Sequence, residues 1–287
     1  LLACTNLAEL NVAACNLFQK AMVFFRVLSG IQKLHIGFNH FNWLTVDHSK
    51  LVPMPSLSSI TMPRTRQYID AGMNAKSLHA VCTQMISHTN IVELILYQHN
   101  LTNSGNDLSG ISALAKLIET SPSLLHLNVM DTYITDEAGC SILEAVAKNT
   151  SLVSLNVDDN FLGDKSIHAI ISALENNAVL QTLSLDYNFL NDVCCDLLIH
   201  SCDSRTWRVN TITLKGNCIS ATKIKKFALS FLYRKSPKQY DLRPAKTIDV
   251  FYSQGIQQED LIDFEFCQGE NVLTEITSKG LFKIPND

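Results

Sequence analysis

Apolar residues recur along this chain in a fixed frame. The pattern LxxLxLxxNxL covers Leu152–Leu162 and returns 28 residues later at Leu180–Leu190. Other copies, some looser and some equally clear, begin at other apolar residues. Together they make eight segments, repeats 1 to 8, which start at Leu7, Ile31, Leu57, Ile91, Leu124, Leu152, Leu180 and Val209. Within each repeat, the alternation of apolar and polar positions predicts a short strand with one buried face.

The segments between the predicted strands have the spacing of helices. Residues 136–148 and 164–176 place apolar side chains three and four positions apart, which predicts an amphipathic helix in each. Thr135 and Asp164 are the expected N-caps, and Asn149 and Asn177 suit the helix exits. Because no repeat can bury its apolar face alone, neighbouring repeats must stack on one another.

The ninth position of the frame is polar although the positions around it are apolar. It is Asn in several repeats, and its amide can bond turn backbone groups that lack a partner in the sheet. Other residues replace it at Cys15, Thr65, His99 and Thr132, which we expect to mark looser repeats.

The frame resembles that of the leucine-rich repeat family, and the spacing of 28 to 29 residues in the C-terminal half resembles its ribonuclease-inhibitor-type branch. The resemblance implies an α/β solenoid of horseshoe shape, with parallel strands on the concave face and helices on the convex face. About eight repeats would occupy residues 1–238, with the last ending near residue 238.

Two regions depart from the frame. Prolines and arginines in 53–66 predict a projecting loop in place of regular repeat spacing. After Pro237, the segments 247–252 and 262–266 alternate apolar and acidic residues like strands. We therefore expect a C-terminal appendage over 239–287, either a β-hairpin that covers the solenoid end or an extension that becomes ordered on a partner.

Composition narrows the class of protein. The 287 residues are 46% hydrophobic and 17% charged, which indicates a folded chain. A pI near 6.1 argues against a general nucleic-acid binder. The apolar runs are far shorter than a membrane span needs. The start on Leu1 without Met suggests an internal piece of a longer polypeptide. The chain has nine cysteines, an odd number, which favours reduced thiols in a cytoplasmic protein. Two N-glycosylation sequons, at Asn100 and Asn149, argue instead for a secreted protein.

The polar positions of the strand frame predict a protein-binding surface. They bring four aspartates of repeats 5 to 7 into one row, the acidic ridge, flanked by a methionine and two tyrosines: Asp131, Asp158, Asp159 and Asp186, with Tyr97, Met130 and Tyr187. Residues 124–190 hold nine acidic residues against two lysines, a net charge of −7. Exposed aromatics anchor partners and carboxylates steer a basic protein surface towards them, so we expect such a partner here. The alternative is an ordinary solvated repeat face.

The charge reverses after the seventh repeat. Residues 205–246 contain eleven Lys and Arg against one Asp, and residues 247–287 return to a net charge of −6. Apolar residues at helical spacing within the basic segment lie opposite Lys223, Lys225, Lys226 and Arg234. This pattern is either a second contact surface for acidic filaments or anionic lipid, or the solvated side of the last repeat helix.

Sequence motifs for chemistry are absent. The chain has no phosphate-binding loop, dinucleotide fingerprint, zinc-protease motif or hydrolase elbow. Cys194, Cys195, His200 and Cys202 cluster but match no common zinc spacing, because adjacent cysteines point about 100° apart on a helix. We therefore expect no catalytic residue, metal or cofactor.

These features predict a non-enzymatic, cytoplasmic interaction scaffold within a hetero-oligomeric complex. The family resemblance makes a cytoskeletal, axonemal or ciliary assembly one setting, and the sensing half of an intracellular immune receptor another. It also leaves open a GTPase-activating regulator, for which the candidate residues are Arg64 or Arg66 beside Asn128 and Asn156.

Overall fold

A computed structural model describes nine segments of the chain, at residues 7–15, 30–37, 56–62, 72–86, 90–202, 206–233, 263–266, 273–277 and 280–284. The predicted proline-rich loop lies outside them except for residues 56–62. Arg64 and Arg66 also lie outside them.

Each repeat contributes one short strand, always at positions 3 to 5 of the frame. The strands are β1 (Glu9–Asn11), β2 (Lys33–His35), β3 (Ser59–Thr61), β4 (Glu93–Ile95), β5 (His126–Asn128), β6 (Ser154–Asn156), β7 (Thr182–Ser184) and β8 (Thr211–Thr213). They form one parallel sheet in chain order. Equivalent positions pair, as when Leu155 aligns with Leu127 on one side and Leu183 on the other. The sheet is open, with one strand per repeat, as in a repeat solenoid.

Six helices lie in the described residues, five of them between successive strands of the parallel sheet and the sixth after its last strand. They are α1 (Ala75–Met85), α2 (Ser109–Thr120), α3 (Asp136–Lys148), α4 (Ile167–Asn176), α5 (Asp192–Cys202) and α6 (Ala221–Tyr233). The predicted bounds of α3 are confirmed, as are its N-cap at Thr135 and the C-caps at Asn149 and Asn177.

The predicted N-cap at Asp164 is wrong. Helix α4 begins three residues later, at Ile167, and its N-cap is Ser166. The Asp164 carboxylate instead accepts a hydrogen bond of 2.6 Å from the Asn191 amide of the next repeat. The Asp164 side chain therefore makes a contact between repeats rather than a helix cap. The local sequence does not reveal this contact.

The core is continuous along the stack. Apolar residues at frame positions 1, 4, 6 and 11 are buried between the sheet and the helices, with Leu152, Leu155, Val157 and Leu162 each at most 1% exposed. At the C-terminal end of the repeats, Trp207 packs against Phe227 and Phe231 of α6, with ring centroids 6.5 and 6.4 Å away.

Buried asparagines at position 9 join one repeat to the next. The Asn188 amide donates to Val157 O at 3.1 Å in the preceding repeat and to Leu185 O at 3.2 Å in its own. Its carbonyl oxygen accepts from Leu162 N at 3.0 Å. Asn160 and Asn217 repeat the arrangement. These bonds satisfy turn groups that the sheet leaves unpaired, as the sequence predicted.

His99, at position 9 of repeat 4, also bonds neighbouring backbone groups, but through an imidazole ring. Its Nδ1 accepts from Met73 N at 3.0 Å, so Nε2 carries the proton and donates to Met62 O at 2.6 Å. His99 is 2% exposed. The substitution at position 9 therefore preserves one donor and one acceptor rather than loosening this repeat.

A second row of asparagines closes the helix exits. The Asn149 amide donates to Ile118 O at 2.6 Å, and its carbonyl oxygen accepts from Leu152 N at 2.6 Å. Asn177 makes equivalent bonds to Val146 O and Leu180 N. Because the Asn149 amide is buried and used as a donor, the sequon at this residue is structural in the folded chain.

The C-terminal segment contains a second sheet. Strands β9 (Asp263–Phe266), β10 (Leu273–Thr277) and β11 (Gly280–Ile284) form a three-stranded antiparallel sheet with β10 at its centre. Strand β9 coincides with the strand predicted at 262–266, whereas the one predicted at 247–252 lies outside the described residues. The domain boundary near residue 238 remains a prediction, as does a role in covering the repeats.

Candidate docking surface on repeats 5 to 7

The aspartates of the predicted acidic ridge differ in exposure. They occupy positions 7 and 8, directly after the strands, in consecutive repeats. Asp159 is exposed, Asp158 and Asp186 are half-buried, and Asp131 is only 8% exposed. The outer surface of the ridge is therefore formed by repeats 6 and 7 rather than by all four carboxylates equally.

Two of these carboxylates also hold neighbouring repeats together. Asp158 Oδ1 accepts from Asp186 N at 2.7 Å, and its Oδ2 accepts from the Ser184 hydroxyl at 2.9 Å. Asp186 Oδ1 then accepts from Lys215 N at 2.7 Å. The ridge is thus partly a structural ladder, in which each carboxylate bonds the backbone of the following repeat.

Burial raises the pKa of Asp158 above its usual value, and the nearby charge of Asp186 raises it further. The hydrogen bonds from Ser184 and the Asp186 amide act in the opposite direction but do not outweigh burial. A cation from a partner would stabilise the ionised form of this carboxylate, because an opposite charge nearby favours ionisation.

Tyr187 is the most exposed of the predicted flanking residues, at 50%. The Lys215 ammonium lies 5.5 Å from the centre of its ring. Met130 and Tyr97 are half-buried, at position 7 of repeats 5 and 4. The predicted aromatic flank therefore rests mainly on Tyr187.

A row of exposed aromatics was missed by the sequence reasoning. Position 10 is aromatic in repeats 5, 6 and 7, as Tyr133, Phe161 and Phe189, with exposures of 39%, 47% and 54%. The ring centroids are 6.0 Å apart for the first pair and 5.8 Å for the second, which is stacked. The recurring aromatic residue at position 10 is visible in the sequence, whereas the strand frame predicts outward-facing residues only as far as position 8.

The basic helix is built into the last repeat. Ile224, Phe227 and Phe231 are buried, which supports its interpretation as the last repeat helix. The Lys223 ammonium pairs with Asp196 at 2.5 Å, while Lys225 and Lys226 are exposed. Arg234 lies outside the described residues. The described apolar residues of α6 therefore pack in the core, whereas Lys225 and Lys226 lie on its exposed side.

The clustered cysteines of α5 face different neighbours. The Cys194 thiol contacts Asp164 Oδ1 at 3.3 Å, whereas the Cys195 thiol contacts Lys223 O at 3.5 Å. Burial raises the pKa of Cys194 to about 11 and that of Cys195 to about 12. Both are therefore core thiols, held in the protonated form at neutral pH. In the described part of the chain, no three His, Cys, Asp or Glu side chains come together as metal ligands would.

No helix within the described ranges has the length and hydrophobicity to cross a bilayer. No disulfide joins the cysteines of these ranges, of which Cys82, Cys194, Cys195 and Cys202 are buried and Cys218 is exposed.

Comparisons with known proteins give only distant structural likeness. No family model matches the sequence, and no curated protein matches it. A solved structure of leiomodin-1 actin-binding site 2 is 14% identical, with 53% of this chain and 87% of that chain covered and a TM-score of 0.40. A protein of Bacteroides fragilis is 17% identical over 73% of this chain and 47% of its own, with a TM-score of 0.40. An internalin of Listeria monocytogenes is 16% identical over 82% of this chain and 62% of its own, with a TM-score of 0.47.

Proposed function

We propose that this protein is a non-enzymatic interaction scaffold, a leucine-rich repeat protein of the ribonuclease-inhibitor type whose strand face is the concave side of a horseshoe. It binds a protein partner with a basic surface at the acidic ridge. It works as one subunit of a larger cytoplasmic complex of cytoskeletal or axonemal type, and the partner supplies any chemistry.

The observation that carries this proposal is the exposed pair formed by Asp159 and Tyr187 at position 8 of adjacent repeats. A tyrosine that leaves half of its surface in water has not been placed there by core packing, and aromatic residues are enriched at the energetic centres of interfaces. Residues 124–190 carry a net charge of −7, so the field around Tyr187 is predominantly negative although the Lys215 ammonium lies 5.5 Å from the centre of its ring. Such a field accelerates encounter with a basic partner.

Regular spacing makes the surface suitable for a rigid partner. Position 8 has a left-handed backbone in both repeats, with φ of 52° at Asp159 and at Tyr187. Hydrogen bonds from Asp159 N to Asp186 O, at 2.8 Å, and from Tyr187 N to Lys215 O hold the two turns in place. Little ordering entropy is lost when a preformed surface of this kind binds.

The proposal is tested in the native complex. The full chain is purified from its source with its partners, and cross-linking chemistry directed at carboxylates identifies what touches the ridge. The double variant Asp159→Asn, Tyr187→Asn removes one charge and one ring, and Asn accepts the left-handed conformation at both sites. Glu144→Gln, on the outer side of α3, is the matched neutralisation control.

We expect the double variant to lose the basic partner and the Glu144→Gln variant to keep it, with thermal unfolding showing that both are folded. Retention of the same partners by the double variant would remove the ridge from the interface. A wild-type chain that migrates alone on size-exclusion chromatography of the native extract would reject the scaffold function itself.

A further inference from the structure

Exposed apolar side chains concentrate in three repeats. Among the described residues, six large hydrophobic side chains are classed as exposed, and all but Ile86 belong to repeats 5 to 7. Three of these five form the aromatic row at position 10: Tyr133, Phe161 and Phe189. Clustering of this kind marks interaction surfaces in soluble proteins, whereas scattered exposed hydrophobics need no explanation.

The aromatic row occupies a different frame position from the acidic ridge. Position 10 follows the buried residue at position 9, so it begins the connection to the helix rather than extending the strand face. The Phe161 and Phe189 planes are 8° from parallel with centroids 5.8 Å apart, and each residue is about half exposed. Stacking of the rings keeps the row ordered without covering it.

Carboxylates accompany the row in the same three repeats. Position 13 is aspartate in each, as Asp136, Asp164 and Asp192. Asp136 and Phe189 both lie against Gly163, because a Cβ placed on this glycine would be 3.7 Å from Asp136 Oδ2 and 3.8 Å from Phe189 Cβ. The three aspartates, called the acidic row, each accept a hydrogen bond from the next repeat through Oδ1. The shared contact with Gly163 places Asp136 of this row beside Phe189 of the aromatic row.

An open groove lies at the N-terminal end of the aromatic row. Its volume is about 580 Å³, with Tyr133 and Phe161 as aromatic walls and Asp136 and Glu137 as carboxylates. Lys165 also lines it, so the groove itself carries one positive and two negative side chains. The surrounding repeats are strongly acidic, since residues 124–190 have a net charge of −7.

We propose that the aromatic row is a second docking site, and that it binds an extended, arginine-bearing segment of a protein partner. Arginine matches both rows at once, because a planar guanidinium stacks on aromatic rings and pairs with carboxylates. Alternate side chains of an extended chain are about 6.6 Å apart, close to the ring spacing of 5.8 and 6.0 Å. Successive arginines on one side of such a segment therefore meet successive rings.

The test uses the full chain and a fluorescent synthetic peptide that alternates arginine and alanine. Fluorescence anisotropy measures its affinity for wild-type protein and for the variant Phe161→Ser, Phe189→Ser. Both phenylalanines are exposed, so the variant should fold, which thermal unfolding checks. Ile86→Ser removes another exposed apolar side chain, at 40% exposure and outside repeats 5 to 7, and serves as the control.

We expect the phenylalanine variant to bind about tenfold more weakly, since it loses two ring contacts. The Ile86→Ser variant should bind like wild type, and the peptide with lysine in place of arginine should bind more weakly than the arginine peptide. Unchanged binding to the phenylalanine variant, or equal binding of a peptide with glutamate in place of arginine, would overturn the proposal.

The ridge variant Asp159→Asn, Tyr187→Asn separates this proposal from the proposed function. If only the ridge variant weakens peptide binding, the ridge is the arginine site and the aromatic row is not. If only the phenylalanine variant weakens it, the second docking site stands whatever happens to the ridge.

Discussion

The ring of Tyr187 lies against Gly216, its neighbour at position 8 of the next repeat. A Cβ built on Gly216 would overlap the Cδ1 and Cε1 atoms of that ring. Position 8 is left-handed in repeats 4 to 8, with φ of 66° at Gln98 and 70° at Gly216. Since other residue types accept this conformation in repeats 4 to 7, the contact with Tyr187 is the distinctive requirement for glycine in repeat 8.

Gly216→Ala should lower the free energy of unfolding by about 1–2 kcal/mol, because it adds both left-handed strain and a clash with the ring. Chemical denaturation measures the change. The same substitution made together with Tyr187→Asn should cost less, since the ring is gone.

A double-mutant cycle isolates that contact. A cost of Gly216→Ala that is equal with and without the Tyr187 ring would mean that backbone strain alone explains the glycine.

Asn188→Ala should destabilise the protein by about 1–3 kcal/mol, because it leaves buried carbonyls and the Leu162 amide without their partner. Asn176→Ala is the control. Its amide bonds Ser172 on the exposed side of α4, and its loss should cost less than about 0.5 kcal/mol. Urea unfolding followed by circular dichroism distinguishes the two. Equal losses would show that the buried row contributes no more than a surface bond.

Relative to wild type, the Asp158→Asn variant should have a higher free energy of unfolding at neutral pH than at acid pH. Folding raises the pKa of Asp158, so its ionisation opposes folding at neutral pH. This unfavourable contribution is absent below the unfolded value of 3.8 and grows as pH rises through the folded pKa. Asparagine never ionises and still offers an oxygen to the Asp186 amide.

Unfolding temperatures of the two proteins at pH 7 and at a pH below 4 test this prediction. The advantage of Asp158→Asn over wild type should shrink at the lower pH, and Asp159→Asn, at an exposed position, serves as the comparison. An advantage that grows as the pH falls would mean that the ionised carboxylate is favoured in the native state.

The repeat frame was sufficient to predict the strands. Every strand of the parallel sheet falls at positions 3 to 5, because alternating apolar positions must face one core and equivalent positions must pair when repeats stack. The bounds of α3 and the roles of Asn149 and Asn160 followed from the same local logic of caps and unpaired backbone groups.

Contacts between repeats determine the partners and exposure of several aspartate side chains, which the repeat frame does not predict. Asp164 bonds Asn191 of the next repeat instead of capping a helix, and Asp131 is buried. Asp158 and Asp186 accept hydrogen bonds from the backbone of the following repeat. Each partner is about one repeat away in sequence and is brought near only by stacking.

The sequence by itself therefore determined which apolar positions are buried and that each repeat contributes one strand, because burial of apolar residues follows a short periodicity that any one repeat displays. Only the tertiary structure decided which polar side chains remain available to a partner. Exposure of Asp159, Tyr187 and the aromatic row depends on hydrogen bonds and ring contacts between adjacent repeats, which exist only after the chain has stacked.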